Sequence, residues 1–335
     1  MSLYLLELKE SNHDLAVAEA RAVGEVVDEG RGYAVVREPR VTRYLGASHR
    51  VSRYLGRCEA TVDGAVEKAR ELDVSLEGSF AVRARVHGDG KDDAGGDGDG
   101  TLSSTELERR VGGVFAERAR VDLDAPDDVV RLVVSEENVF FGLHVCETAG
   151  FAGRAPTEKP FFKPGSMSPA LARSLSNIAG GYDGRTLLDP TCGTGGVLVE
   201  SAIAGGRAIG GDASREMVEG ARTNLREYCD ESDVRLFVGD ARSLPLSDGS
   251  VDCAVTDLPY GRASHVEGDS AEEVARRVLD ELARVVSDEG RVVAVSDGWL
   301  DDEARAAGFE VVERVEDRVH RSLTRRVVVL ELSTV

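Results

Sequence analysis

The chain has 335 residues, with 41 Lys and Arg against 61 Asp and Glu and a net charge of −20. That length predicts two or three domains, and no apolar run approaches the roughly 20 residues that a membrane-spanning helix needs. Five scattered cysteines without a CxxC pair, and six scattered histidines, give neither a zinc site nor a disulfide framework. The opening MSLYLLELKE lacks a basic segment ahead of its apolar residues, so the expectation is a soluble cytoplasmic protein without a secretion signal, a membrane or a metal.

The acidity at first argues against nucleic acid, because phosphate contacts need Lys and Arg. Lysine is nearly absent (Lys9, Lys68, Lys91, Lys159, Lys163) while Asp, Glu and Arg abound, a composition that resembles proteins of salt-loving archaea. In about 1 M salt the Debye length is roughly 3 Å, so distant acids are hardly felt by a polyanion and local basic patches decide.

In chain order, residues 1–57 alternate short apolar runs (LYLLEL, YAVV) with a helical stretch from Leu15 to Val27, which predicts a small α+β unit. Seven arginines between Arg31 and Arg57 face the single acid Glu38, with Tyr44 and Tyr54 in two copies of RYLG. Arg43, Arg50, Arg53 and Arg57 are candidate RNA contacts with possible base stacking. The bland alternative is that the tyrosines are core residues of short helices among solvated arginines.

A helix over Thr61 to Leu72, the alternating SFAVRARV, a helix from Ser104 to Arg118 and the runs DVVRLVVSEE and VFFGLHVCE predict a second α+β unit over 58–147. Its acidic, glycine-rich segment 88–100 fits no calcium-loop register and reads as a flexible insertion. Residues 148–165 read as a linker that then docks. Ser168 and Pro169 open a helix that Gly180 and Gly181 close.

From Arg185 on, strands TLLDP, RAIGGDA, VRLFVGDA, VDCAVTD and RVVAVSDG alternate with helices near 195–204, 214–228 and 270–286. This predicts an α/β fold with a mostly parallel, doubly wound sheet, finished by an antiparallel hairpin. Ligands bind such sheets outside the carboxyl ends of the strands, where Asp189, Asp212, Asp240 and Asp257 fall. DPTCGTGG lacks the GxGxxG of nicotinamide binders, and no GxxxxGK[ST] phosphate loop appears. An acid ahead of the glycines suits a cationic amino acid moiety, Asp212 sits where an acid grips ribose hydroxyls, and Asp240 can accept from an adenine amine. Together these point to S-adenosyl-L-methionine. Each Asp taken singly could instead cap the helix after its strand.

Here the chain resembles class I, Rossmann-like methyltransferases. DPTCGTGG matches their first motif, TDLPYG resembles the [DN]PPY motif of exocyclic-amine methylases, and PFFKPGSMSP resembles the cofactor-facing segment of the archaeal tRNA guanosine-10 N2-methyltransferases. That resemblance implies a ferredoxin-like domain over 1–57, a tRNA-binding THUMP domain over 58–147 and a methyltransferase domain over 166–335. It implies cofactor contacts from Met167, Asp189, Thr191, Cys192, Gly193, Gly195, Asp212 and Asp240, and catalytic roles for Asp257, Pro259 and Tyr260, with tRNA as partner. Leu258 departs from the family, which usually has proline there.

The expected reaction is methylation of the exocyclic N2 amine of a tRNA guanosine, once or twice, at position 10. Asp257 would accept one N–H, a backbone carbonyl at Leu258 or Pro259 the other, and Tyr260 would stack on the base. Rivals are another RNA amine, such as ribosomal guanosine N2 or adenosine N6, and a non-catalytic RNA-binding protein on this fold. A thiouridine synthase would need an SGGxDS loop, which is missing.

Overall fold

A computed structural model describes residues 2–87, 102–230, 234–258, 270–320 and 323–333. The chain divides into two compact units, one of residues 1–13, 24–43 and 48–148, the other of 14–23, 44–47 and 149–335. The insertion expected over 88–100 lies outside the described residues.

The first unit holds strands β1 (Leu3–Leu8), β2 (Glu25–Gly30), β3 (Tyr33–Arg37), β4 (Ser48–Glu59), β5 (Ser79–Val86), β6 (Arg120–Val121), β7 (Asp128–Val134) and β8 (Asn138–Glu147). They form one eight-stranded sheet in the order β2-β3-β1-β4-β8-β7-β5-β6. Two helices pack with it, α2 (Val62–Glu71), capped by Thr61, and α3 (Ser104–Phe115), capped by Ser103. α1 (His13–Val23) belongs almost wholly to the second unit.

The division expected at residue 57 falls inside β4, which pairs with β1 on one edge and β8 on the other. The two small units expected from sequence therefore share one sheet. Glu7 of β1, fully buried, is gripped through both carboxylate oxygens by Arg131 of β7 at 2.7 and 2.8 Å, the bidentate geometry that makes a buried pair tolerable.

The second unit holds β9 (Thr186–Asp189), β10 (Arg207–Asp212), β11 (Val234–Val238), β12 (Val251–Asp257), β13 (Val286–Ser296), β14 (Phe309–His320) and β15 (Leu323–Leu332). Their order is β11-β10-β9-β12-β13-β15-β14. Pairing is parallel from β11 to β13, and β15 runs antiparallel to both neighbours. The Rossmann-like sheet with an antiparallel C-terminal hairpin is thus as expected.

Alternate residues serve opposite faces. Leu187, Cys253, Val255, Val293 and Val295 pack with α1, α4 (Pro169–Ala179), α5 (Gly196–Ile203) and α6 (Arg215–Tyr228). Leu188, Ala254, Val292 and Ala294 pack with α7 (Ala271–Val285) and α8 (Asp301–Ala306). Covering both faces is what lets these strands be almost wholly apolar. The chain runs from β9 outward through β10 to β11 on one side and then crosses to β12 on the other side of β9, and this reversal opens a crevice at the carboxyl ends.

Between α4 and α5 lies a buried ion cluster. Glu200 takes Arg173 Nη2 at 2.5 Å and Arg154 Nε at 2.9 Å, and neither Glu200 nor Arg173 reaches solvent. Neutralising the acid strands two guanidinium groups in a dry site. Glu200→Gln is expected to lower unfolding free energy by about 3–5 kcal/mol in urea titration; an unchanged midpoint would contradict that weight for the pair.

Candidate functional site

β9 ends on Asp189, and the chain must then turn sharply into α5. Gly193 (φ +50°) and Gly195 (φ +78°) supply left-handed backbone. At Gly195 space is short as well, because a Cβ there would lie 3.1 Å from that of Ala221. Asp189 Oδ1 accepts the Thr191 N–H at 3.1 Å, and Asp212 accepts from Gly193 N at 3.1 Å and Ser214 N at 2.8 Å. Thr191 Oγ1 meets Thr256 Oγ1 of β12 at 2.9 Å, which ties the glycine loop to the strand bearing Asp257.

Above this loop is a cavity of about 320 Å³, lined in part by Ser166, Met167, Asp189, Thr191, Gly193 and Asp257. Burial, with the charges of Asp257 and Asp212 behind it, raises the Asp189 carboxyl to about 8, against the pull of the Thr191 hydrogen bonds. Burial likewise raises Asp257 to about 6, opposed by Arg325. Asp257 Oδ1 is buried and makes no hydrogen bond among the described residues. Cys192 also lines the cavity, its thiol pushed up by burial and by the neighbouring acids, which keeps it protonated.

The strand-end acids share a local habit. Asp189, Asp212 and Asp240 each accept the N–H two residues on, from Thr191, Ser214 and Arg242, the Asx turn that the bland reading anticipated in another form. Asp257 is the exception that its sequence requires: two residues on is Pro259, which has no N–H to give.

Of the residues singled out from sequence, the structure brings Met167, Asp189, Thr191, Cys192, Gly193 and Asp257 to one cavity. Gly195 serves the turn instead, and Asp212 braces the loop beside it. Asp240 is exposed, with its carboxylate held by Arg242 Nε at 3.0 Å and Nη2 at 2.7 Å, and like Asp212 it is not among the cavity's lining residues. Pro259 and Tyr260 lie outside the described residues.

The four arginines belong to the first unit. Arg50 bonds Glu147 at 3.0 Å and Arg57 bonds Asp28 at 2.6 Å, so internal acids already neutralise both. Arg43 and Arg53 are exposed. Tyr54 lies on β4 and Tyr44 in a turn, not on short helices.

Sequence reasoning missed Asn224. Fully buried on α6, it holds Phe161 N and O at 2.9 Å each and Thr194 O at 2.9 Å, pinning the segment before α4 to the glycine loop. Its only sequence signal is an Asn in mid-helix, where Asn is a poor helix former. Gly220 gives that segment room, since a Cβ there would sit 2.0 Å from the Phe161 ring. Among the described residues no cluster of His, Cys, Asp and Glu could hold a metal, and no helix is long and apolar enough to cross a membrane.

S-adenosylmethionine fits what is here. The ammonium of its amino acid tail suits the buried acid Asp189, the open space beside Gly193 admits close approach, and Asp257, with one oxygen that makes no hydrogen bond among the described residues, lines the same cavity.

The family described as RMKL-like, methyltransferase domain matches residues 156–327. A tRNA (guanine(10)-N2)-dimethyltransferase of Methanothermobacter thermautotrophicus is 36% identical over 344 residues, covering 97% of this chain and 98% of that protein. One from Pyrococcus abyssi is 28% identical over 95% of this chain and 96% of its own length. The crystal structure of TrmN from Thermus thermophilus superposes with a TM-score of 0.52 at 25% identity, covering 99% of this chain and 100% of that one. The chain belongs to the tRNA (guanine(10)-N2)-dimethyltransferase family, and its second unit carries the RMKL-like methyltransferase domain.

Proposed function

We propose that this protein transfers a methyl group from S-adenosylmethionine to the exocyclic N2 amine of guanosine 10 in tRNA, once or twice. The observation that carries the reading is the Asp257 carboxylate, which borders the same cavity as the glycine loop with one buried oxygen that makes no hydrogen bond among the described residues. An amine donates where such an oxygen accepts.

S-adenosylmethionine, when bound, supplies an electrophilic methyl group. The chain's own residues position and neutralise. Asp189 takes the ammonium of the amino acid tail. Asp212, which spends one lone pair on each backbone N–H it already holds, has further lone pairs for ribose hydroxyls. Met167, Thr191, Cys192 and Gly193 form the walls, with Gly195 shaping the turn. Asp257 accepts one N–H of the guanine amine while a carbonyl of Leu258 or Pro259 accepts the other, which turns the nitrogen lone pair toward the donor. Tyr260 stacks on the base, offsetting the few kcal/mol needed to take it out of its own stack. With its carboxyl near 6, Asp257 is ionised at neutral pH and suited to receive the proton the nitrogen sheds. Positioning supplies roughly 7–11 kcal/mol of barrier reduction and one preorganised contact about 3–4, so geometry is the larger contribution.

The first unit is read as ferredoxin-like and THUMP modules that hold tRNA, with Arg43 and Arg53 as phosphate contacts, in the cytoplasm. The test uses methyl-labelled cofactor and two tRNA transcripts, one with guanosine at position 10 and one with inosine, which lacks the 2-amine. Label is expected in the first and absent from the second. Equal labelling of both would overturn the assignment.

A further inference from the structure

Lys159 is an oddity of the second unit. It is 5% exposed, and its Nζ makes no hydrogen bond among the described residues. Burial pulls its ammonium below the usual lysine range; Glu200 opposes that pull, and the charge of Arg154 adds to it. Yet Glu200 already spends both oxygens on Arg154 and Arg173, and Arg173, which lies over the Tyr44 ring and feels the buried acid Glu19, keeps Nε and Nη1 without a hydrogen bond among the described residues. The neighbourhood has more buried cation than anion.

The position makes this worse. Gly196 is the first residue of α5, and a Cβ built on it would lie 3.5 Å from Lys159 Nζ. A helix N-terminus carries partial positive charge and unpaired N–H groups, so it repels an ammonium and attracts an anion. An unpaired buried charge is costly by itself, and here it stands beside a second positive pole. Both faults are removed by one anion. The cavity supplies the approach, because Thr194, Gly196 and Val197 line it.

We infer that Lys159 and the first turn of α5 seat the carboxylate of the cofactor's amino acid tail, opposite Asp189, which takes the ammonium. The inference rests on the reading that this cavity receives S-adenosylmethionine. It goes further in giving the tail two poles, so that a zwitterion is selected over a plain cation. Lys163, which lines the cavity itself, whereas Lys159 reaches it only through Gly196, is less suited, since it is half-buried and its Nζ is paired with Glu216 at 2.7 Å.

The test is equilibrium binding by calorimetry, with S-adenosylhomocysteine and its decarboxylated analogue, which keeps the amine. Wild type is expected to prefer the carboxylated ligand by on the order of 10- to 100-fold, the range for a charge-assisted contact. Lys159→Met should lose most of that preference while binding the decarboxylated analogue as wild type does, and Lys159→Arg should keep much of it. Wild type without preference would overturn the inference, with no variant needed. So would a Lys159→Met protein that keeps the preference, one that loses both ligands equally, or a loss that follows Lys163→Gln instead. Wild type binding neither ligand would remove the cofactor reading itself, and the inference with it.

Discussion

Asp257→Ala is expected to lower the single-turnover methylation rate by at least about 10²–10³-fold while S-adenosylhomocysteine affinity stays within about threefold. The asymmetry follows from the geometry. In the proposed site, the Asp257 oxygen without a hydrogen bond among the described residues accepts from the substrate amine, whereas the loop proposed to hold the cofactor is braced by Asp189, Asp212 and Thr191. The negative charge of Asp257 also works against ionisation of Asp189, so its removal does not weaken the ammonium seat. The fold should not suffer, because a carboxyl raised to about 6 is a group that burial penalises when charged. In wild type the rate should fall as pH drops through about 6, where the carboxylate gains a proton and loses acceptor capacity. A variant that turned over normally, or that lost cofactor in step with rate, would remove Asp257 from the amine.

Leu258 shows how a departure from a motif can be absorbed. Its N–H donates to Val295 O at 2.9 Å, and its side chain is 3% exposed in the core with Val274, Val278 and Ala294. A proline, having no N–H, could not make the ladder bond. The rigidity that proline gives through its ring is here replaced by strand pairing and packing. This was not legible in TDLPYG, because it depends on which strand lies alongside.

What was legible was local. The strands of the second unit announce themselves as apolar runs because both faces are covered, and the acids at their ends then fall on one rim by topology. The first unit was harder. A helix expected through Val27 stops at Val23, since Gly24 packs so closely that a Cβ would lie 2.6 Å from Val36 Cγ1, and β2 follows at once. β4 was hidden by its arginines: Arg50, Arg53 and Arg57 read as a basic surface, while the strand is fixed by partners nearly a hundred residues away, Arg50 against Glu147. Pairing at such separation leaves no periodic trace. Asn224 was hidden for a related reason, because its three hydrogen bonds go to backbone, whose sequence is silent.

Asp189→Asn should trade binding for stability. A native carboxyl near 8, against 3.8 in the ordinary case, keeps its proton through neutral pH. Since the folded state binds the proton more tightly than the unfolded, this group's contribution to stability is fully present below about pH 4 and is lost progressively as pH rises through 8. An amide carries no such debt, so the variant is expected to melt higher than wild type at pH 8 without ligand. The same change removes the only charged partner proposed for the cofactor's ammonium, and truncating one side of a buried charge pair costs about 2–5 kcal/mol, so S-adenosylhomocysteine affinity should drop by roughly 30-fold or more. In wild type, affinity should rise from pH 6 to 8 with a proton released on binding, detectable as a heat that varies with the buffer's ionisation enthalpy. An affinity flat across that range, with no proton released, would mean that Asp189 is ionised before the cofactor arrives or does not meet its ammonium.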